Sequence, residues 1–155
     1  QYEETLQMLR NPEKLRLWLG LCEECDATEP SGQPDEEAFK TARACSGMLA
    51  MACSDPQVSD ALLVEGVGSS LVKLLASSKP ELVHRALAIL GSVLDKFDEE
   101  TGTSTANINM TKHVLDAGIV PALTIGIKAV MPFPDLFTMA KATAEKLNNI
   151  AKNLT

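Results

Sequence analysis

The sequence predicts an all-α fold, a helical solenoid built from about three repeats of three helices each. Nearly every ordered stretch places apolar residues three and four positions apart, and the alternating pattern of strands is scarce. Helix start and stop signals divide the chain, and short sequence segments recur at similar spacings. The length of 155 residues, 45% of them hydrophobic, is that of one domain with a core of its own.

Three helix starts are marked by proline. Asn11 can cap a helix that Pro12 begins, and Asp55 can do the same for a helix that starts at Pro56. Pro80 indicates a further start. An oxygen of the capping side chain accepts a hydrogen bond from an early backbone N–H, and proline lacks only an N–H that would have no partner there.

Two glycines mark helix ends and also reveal a repeat. Gly66 and Gly118 each precede a new apolar run, and superposing these two runs gives an offset of 52 residues. Superposing Arg43 on Arg85 gives an offset of 42. Units of about 40 to 47 residues with two or three helices are typical of armadillo and HEAT repeats, so we expect a right-handed solenoid of that type. The expected repeats are approximately 1–53, 54–97 and 98–155.

The long third helix of each repeat has the strongest apolar pattern, and this face should stack against the neighbouring repeats. The face comprises Phe39, Ala42, Ser46, Leu49 and Cys53, then Val83, Ala86, Leu90, Val93 and Phe97, then Leu136, Ala140, Leu147, Ala151 and Leu154. Residues 26–34 and 98–107 are too polar to bury much surface, and we expect two mobile loops there.

Charge and cysteine content restrict the partners. The 14 basic and 21 acidic side chains give a net charge of −7, which disfavours nucleic acid. The charge is uneven, at −9 for residues 1–100 and +2 for residues 101–155. The longest apolar runs are about half the length of a membrane span, so we expect no membrane insertion. Four cysteines within apolar helical patterns favour a reducing, cytoplasmic setting. The sequence, which starts at Gln1, is expected to be a fragment of a longer protein.

Catalytic and metal-binding motifs are weak. Cys22 and Cys25 form a C-x-x-C pair, and a thiol or zinc site there is a remote alternative to simple core packing. A zinc site would need a second close pair, which Cys45 and Cys53 do not form. His84 and His113 lie in different repeats, phosphate-binding glycine loops are missing, and we expect neither an enzyme nor a cofactor.

The exposed side of the third helices is therefore the candidate site. In a solenoid these side chains would line a concave surface suited to a segment of another protein, although a merely solvated face explains them equally well. Arginine at repeated positions favours binding, because guanidinium groups hold carboxylates and carbonyls. The predicted binding residues are Lys40, Arg43, Gly47, Met51, Arg85, Ser92, Lys141, Glu145 and Asn149.

Several segments resemble one known family. These are EKLRL at residues 13–17, ACSGMLAM at 44–51, VHRALAI at 83–89 and VLDA at 114–117. They resemble the C-terminal armadillo-repeat end of the UCS domain of myosin chaperones. The long acidic insertion at 26–34 and the Thr/Ser-rich stretch at 98–107 depart from that family's usual pattern.

The resemblance implies an armadillo domain without ATPase activity, whose partner is the myosin motor domain and whose role is to assist its folding or protect it from aggregation. Animal members of the family also engage a cytosolic heat-shock chaperone, through a tetratricopeptide region that this segment does not contain. The alternative is a general armadillo or HEAT scaffold or adaptor that binds another protein segment.

Overall fold

The computed structural model describes residues 2–99 and 118–153, and their regular secondary structure is helical throughout. This confirms the all-α prediction. No helix in these two ranges has both the length and the apolar character to cross a bilayer. Residues 2–99 and 118–153 form eight α-helices, which we label in chain order as α1 (Tyr2–Leu9), α2 (Pro12–Glu23), α3 (Glu36–Ala52), α4 (Pro56–Glu65), α5 (Gly68–Ala76), α6 (Pro80–Glu99), α7 (Ile119–Val130) and α8 (Pro134–Asn153). A short 3-10 helix, Glu24–Asp26, follows α2.

The predicted helix starts are confirmed. The side chain of Asn11 accepts hydrogen bonds from two backbone N–H groups in the first turn of α2. Asp55 caps α4 in the same way and also pairs with Arg10, whose Nη2 lies 2.7 Å from Asp55 Oδ1. A second bond, from Arg10 Nε to Asp55 Oδ2, measures 3.1 Å, so the pair is bidentate. One carboxylate thus joins the segment after α1 to the start of α4.

Gly66 and Gly118 both adopt the left-handed backbone conformation, with φ of 76° and 85°. The helix end predicted at Gly66 is confirmed, whereas the helix end predicted at Gly118 stays a prediction, because the residues before it lie outside the described ranges. Gly66 ends α4, and Gly118 directly precedes α7. Ser78 also has a positive φ, of 59°, in the turn between α5 and α6. A non-glycine residue in this conformation is uncommon, and the sequence did not indicate it.

The longer helices contact one another in two rows. In one row α2 contacts α5 and α5 contacts α7, while in the other α3 contacts α6 and α6 contacts α8. Three pairs, α2 with α3, α5 with α6 and α7 with α8, connect the rows. Between the rows lies a leucine-rich core, in which each fully buried leucine contributes about 1.5–3 kcal/mol. Its largest fully buried side chains include Leu15, Leu49, Leu71, Leu75, Leu87, Leu90 and Leu94.

The first predicted loop is closed by backbone hydrogen bonds. Glu29 N–H donates to Gln33 O at 2.8 Å, and Asp35 N–H donates to Ala27 O at 2.9 Å. Its expected mobility stays a prediction. Of the second predicted loop, the first two residues belong to the end of α6, and the others lie outside the described residues. The third expected repeat is therefore described only by α7 and α8, and the predicted core residue Leu154 lies outside the description.

Candidate protein-binding surface

Six of the nine predicted binding residues are exposed on the row formed by α3, α6 and α8. On α3 the exposed side chains are those of Lys40, Arg43 and Met51, with Met51 62% exposed. Phe39, one turn before Arg43, is half-buried. The ammonium group of Lys79 lies over its ring, 5.7 Å from the ring centroid. The α3 end of the surface thus offers three cations beside apolar side chains.

Arg85 does not extend freely from this surface. Its Nη1 donates to the backbone carbonyl of Arg43 at 2.6 Å, and its Nη2 donates to Glu81 Oε1 at 3.0 Å. Gly47 makes room for the guanidinium, since a Cβ at this position would lie 3.3 Å from Arg85 Cζ. With its side chain 25% exposed, Arg85 holds α6 against α3. The two arginines at repeated positions thus have different environments, since Arg43 is exposed and Arg85 bonds to α3. Gly47 allows the Arg85 guanidinium to approach the backbone of α3 closely.

Ser92 also lies in the α3–α6 contact. Its Oγ donates to Cys53 Sγ at 3.2 Å, and the same sulfur lies 3.7 Å from the carbonyl oxygen of Ala88. Burial raises the pKa of the Cys53 thiol. The structure therefore places three predicted binding residues, Gly47, Arg85 and Ser92, between two helices.

The α8 part of the surface is exposed as expected from helical phase. Lys141, Glu145 and Asn149 all lie on its exposed side, spaced one turn apart. The ammonium group of Lys141 lies 4.8 Å from the ring centroid of Phe137. A neighbouring ion pair between Lys146 and Asp95 joins α8 to α6. The three predicted residues on α8 are therefore presented on an anchored helix.

The sequence reasoning did not identify Glu81 as part of this surface. Its carboxylate lies 3.0 Å from Arg85 Nη2 and 3.9 Å from Arg43 Nη1. The sequence does contain a signal for the first contact, because glutamate four residues before arginine is a stabilising spacing on a helix. The surface is therefore of mixed charge, with a carboxylate between the cations of α3 and α6.

The cysteine pair has the geometry of core packing. Cys22 is fully buried, and burial raises the pKa of its thiol to about 12. Cys25 is buried in the 3-10 helix, with its sulfur 3.6 Å from the carbonyl oxygen of Lys73. All four cysteines are unpaired thiols, and residues 2–99 and 118–153 contain no group of three or more potential metal ligands. Burial raises the pKa of all four thiols, which lowers the fraction of thiolate at neutral pH, the form that attacks and that binds zinc.

The structure describes one of the two histidines. His84 is exposed on α6, and His113 lies outside the described residues. The α3–α6–α8 surface presents groups of either charge beside apolar side chains. No protein-family model, curated protein or solved structure matches this chain.

Proposed function

We propose that this chain is an armadillo-type solenoid that binds a segment of another protein along the exposed side of α3, α6 and α8. The main support is the pattern of contacts between the helices. Helices at corresponding positions along the chain contact one another in two rows. The row of third helices keeps six predicted binding side chains exposed. In solenoids such rows form extended surfaces for peptide segments. The binding groups would be Lys40, Arg43, Met51, Lys141, Glu145 and Asn149.

The proposed client is the myosin motor domain, with the chain acting as part of a cytoplasmic co-chaperone. This rests on the resemblance of residues 44–51 and 83–89 to the UCS family. The first segment lies in α3 and the second in α6, and Arg85 of the second bonds to the backbone of Arg43, one residue before the first. The segments that carry the resemblance thus belong to one structural contact. Binding a partly folded client would limit aggregation without nucleotide hydrolysis.

The experiment is an aggregation-protection assay with a myosin motor domain under mild heating. The intact protein should reduce light scattering, and the double substitution Arg43→Glu with Lys141→Glu should abolish most of that protection. Lys14→Glu, which reverses an exposed charge on α2, is the matched control and should protect normally. Absence of protection by the unmodified protein, or equal protection by all variants, would contradict the proposal.

A second candidate is a general adaptor that binds a basic segment. It is favoured by an open cleft of about 350 Å³ beside the first loop, whose lining includes Glu29, Glu36 and Glu37. Carboxylates at this density would attract lysine and arginine side chains at low ionic strength. A fluorescent Lys/Arg-rich peptide should bind in salt-dependent fashion and lose affinity on Glu36→Lys. Binding that survives this substitution would place the peptide elsewhere.

A further inference from the structure

A shallow apolar groove of about 160 Å³ runs between α7 and α8. Val120 on its edge is 54% exposed, and Thr124 is also exposed, so the groove is open to solvent. The groove is lined by Val120, Leu123, Thr124, Ile127, Ala144, Leu147, Asn148 and Ala151. An open apolar surface of this kind is suited to a docking helix.

Contacts inside the chain show what covers the equivalent surfaces of the preceding helices. Ser70 of α5 donates a hydrogen bond to the backbone carbonyl of Leu19 on α2, at 3.2 Å. Gly126 of α7 lies so close to Leu75 of α5 that a Cβ would be 3.4 Å from its carbonyl oxygen. Leu19, Leu75 and Ile127 each follow a buried leucine by four residues, at Leu15, Leu71 and Leu123. The groove at Ile127 should therefore accept a helix that presents a small residue.

The exposed side of α2 provides a helix of this kind. Leu17 is 66% exposed, and in the part of the chain that the structure describes no heavy atom beyond the neighbouring residues and the backbone of α2 lies within 4 Å of the position that a Cβ of Gly20 would take. Glu13 precedes Leu17 by four residues, and Glu24 follows Gly20 by four, both exposed. These spacings place Glu13, Leu17 and Gly20 on one side of α2, and Glu24 follows directly after its last turn, at the start of the 3-10 helix. We name this set, Glu13, Leu17, Gly20 and Glu24, the α2 stripe.

The charges of the stripe and the groove are complementary. Lys128 follows Thr124 by one turn of α7, and Lys152 is adjacent to Ala151 on α8, both exposed. Because only three residues connect the two helices, the helices run antiparallel and these lysines lie near opposite ends of the groove. Glu13 and Glu24 likewise lie at opposite ends of the stripe, about 16 Å apart along the helix.

The net charges of the two ends of the chain are also opposite in sign, which agrees with the complementary charges of the stripe and the groove. Residues 2–53 carry ten acidic and five basic side chains, for a net charge of −5. Residues 118–153 carry four lysines and two acidic side chains, for a net charge of +2. Opposite fields of this kind favour association of one unit with the other.

We propose that the α2 stripe of a second copy of this chain docks into the α7–α8 groove. Leu17 enters the apolar groove, Gly20 permits close approach to the backbone at Ile127, and the two glutamates meet the lysines at the groove ends. The contact is head-to-tail, so each copy keeps one unused stripe or groove and association continues beyond two copies. This inference is independent of the proposed client-binding function.

Sedimentation equilibrium of the full chain tests the proposal through complementation. The weight-average mass of the unmodified protein should rise with concentration past twice the 16.6 kDa monomer. Leu17→Glu and Val120→Glu change exposed side chains, so both variants should fold, which circular dichroism checks. Each variant alone should remain monomeric, because one lacks the stripe and the other the groove. Mixed in equal amounts, they should form a dimer and nothing larger.

The matched control is Ile125→Glu, which alters a 42% exposed residue of α7 outside the groove lining and should associate normally. A monomeric unmodified protein up to about 1 mM would overturn the proposal. So would a mixture of the two variants that stays monomeric. Dimers formed by Leu17→Glu alone would also overturn the proposal, because they would show that two grooves contact each other. Unchanged association of Val120→Glu would overturn it as well, because the groove would then not be needed.

Discussion

Gly91 and Gly126 both lie inside helices, in α6 and α7, but their surroundings differ. Among the described residues, no heavy atom beyond the neighbouring residues and the backbone of α6 lies within 4 Å of a Cβ built on Gly91. A Cβ built on Gly126 would lie 3.2 Å from Leu75 Cδ2 and 3.3 Å from Val83 Cγ1. Replacing glycine by alanine in a helix interior stabilises a protein by roughly 0.5–1 kcal/mol when the new methyl group has room. We therefore expect that full gain for Gly91→Ala and little or none for Gly126→Ala.

Valine separates the two sites more clearly. At Gly126 its two additional methyl groups enter a contact that is already tight, and overpacking of this kind costs about 1–3 kcal/mol. For a chain of this size each kcal/mol corresponds to a change in Tm of about 2–4 °C. At Gly91 the same substitution should be close to neutral, because the helix propensity of valine exceeds that of glycine by a few tenths of a kcal/mol.

The assay is urea and thermal unfolding followed by circular dichroism, with all four variants measured beside the unmodified protein. The difference between the two valine variants isolates the α7 contact, since the change in helix propensity is common to both. If Gly126→Val unfolds at the same urea concentration as Gly91→Val, then α7 does not approach α5 and α6 as closely as described.

Three further predictions concern the core, an ion pair and a thiol. Leu90→Ala should destabilise the fold by about 2–5 kcal/mol in urea unfolding, because Leu90 is fully buried at the middle of α6, and an unchanged midpoint would contradict this packing. The hydrogen bond from Arg10 lowers the pKa of the Asp55 carboxyl. The ionised Asp55 carboxylate should therefore stabilise the fold at pH values above its unfolded-state pKa, and this stabilisation should be lost as the pH falls through its folded-state pKa. In Asp55→Asn, the free energy of unfolding should depend less on pH in this acidic range. Burial raises the pKa of Cys22 to about 12, so timed labelling at neutral pH should modify it only on unfolding, and rapid native labelling would contradict this.

The helix boundaries could be predicted because their causes are local. Asn11 and Asp55 bond to backbone groups two or three residues away, and such contacts can be inferred from the neighbouring sequence alone. Gly66 and Gly118 are similar, since a left-handed conformation is a property of one residue. The all-α architecture followed from these signals and from the helical spacing of the apolar residues.

The candidate surface could be predicted only in part, because helical phase identifies a side of one helix and not its neighbours. Phase was sufficient for Lys141 and Glu145, which are exposed on α8. It was insufficient for Arg85, whose backbone partner is 42 residues away on α3. Contacts of this kind depend on how two helices cross, which a periodic pattern does not specify. Leu17 was missed because a single apolar residue on an exposed helix side is common.

Asp55 has two roles, since it caps α4 and forms a bidentate pair with Arg10. Fraying of α1 that displaces Arg10 would weaken the cap of α4 at the same time. The amide hydrogens of α1 and of the first turn of α4 should therefore exchange with deuterium as one group. Proteolytic cleavage near Arg10 should likewise make the start of α4 more accessible to a protease. The pair thus couples the opening of α1 to that of the first turn of α4.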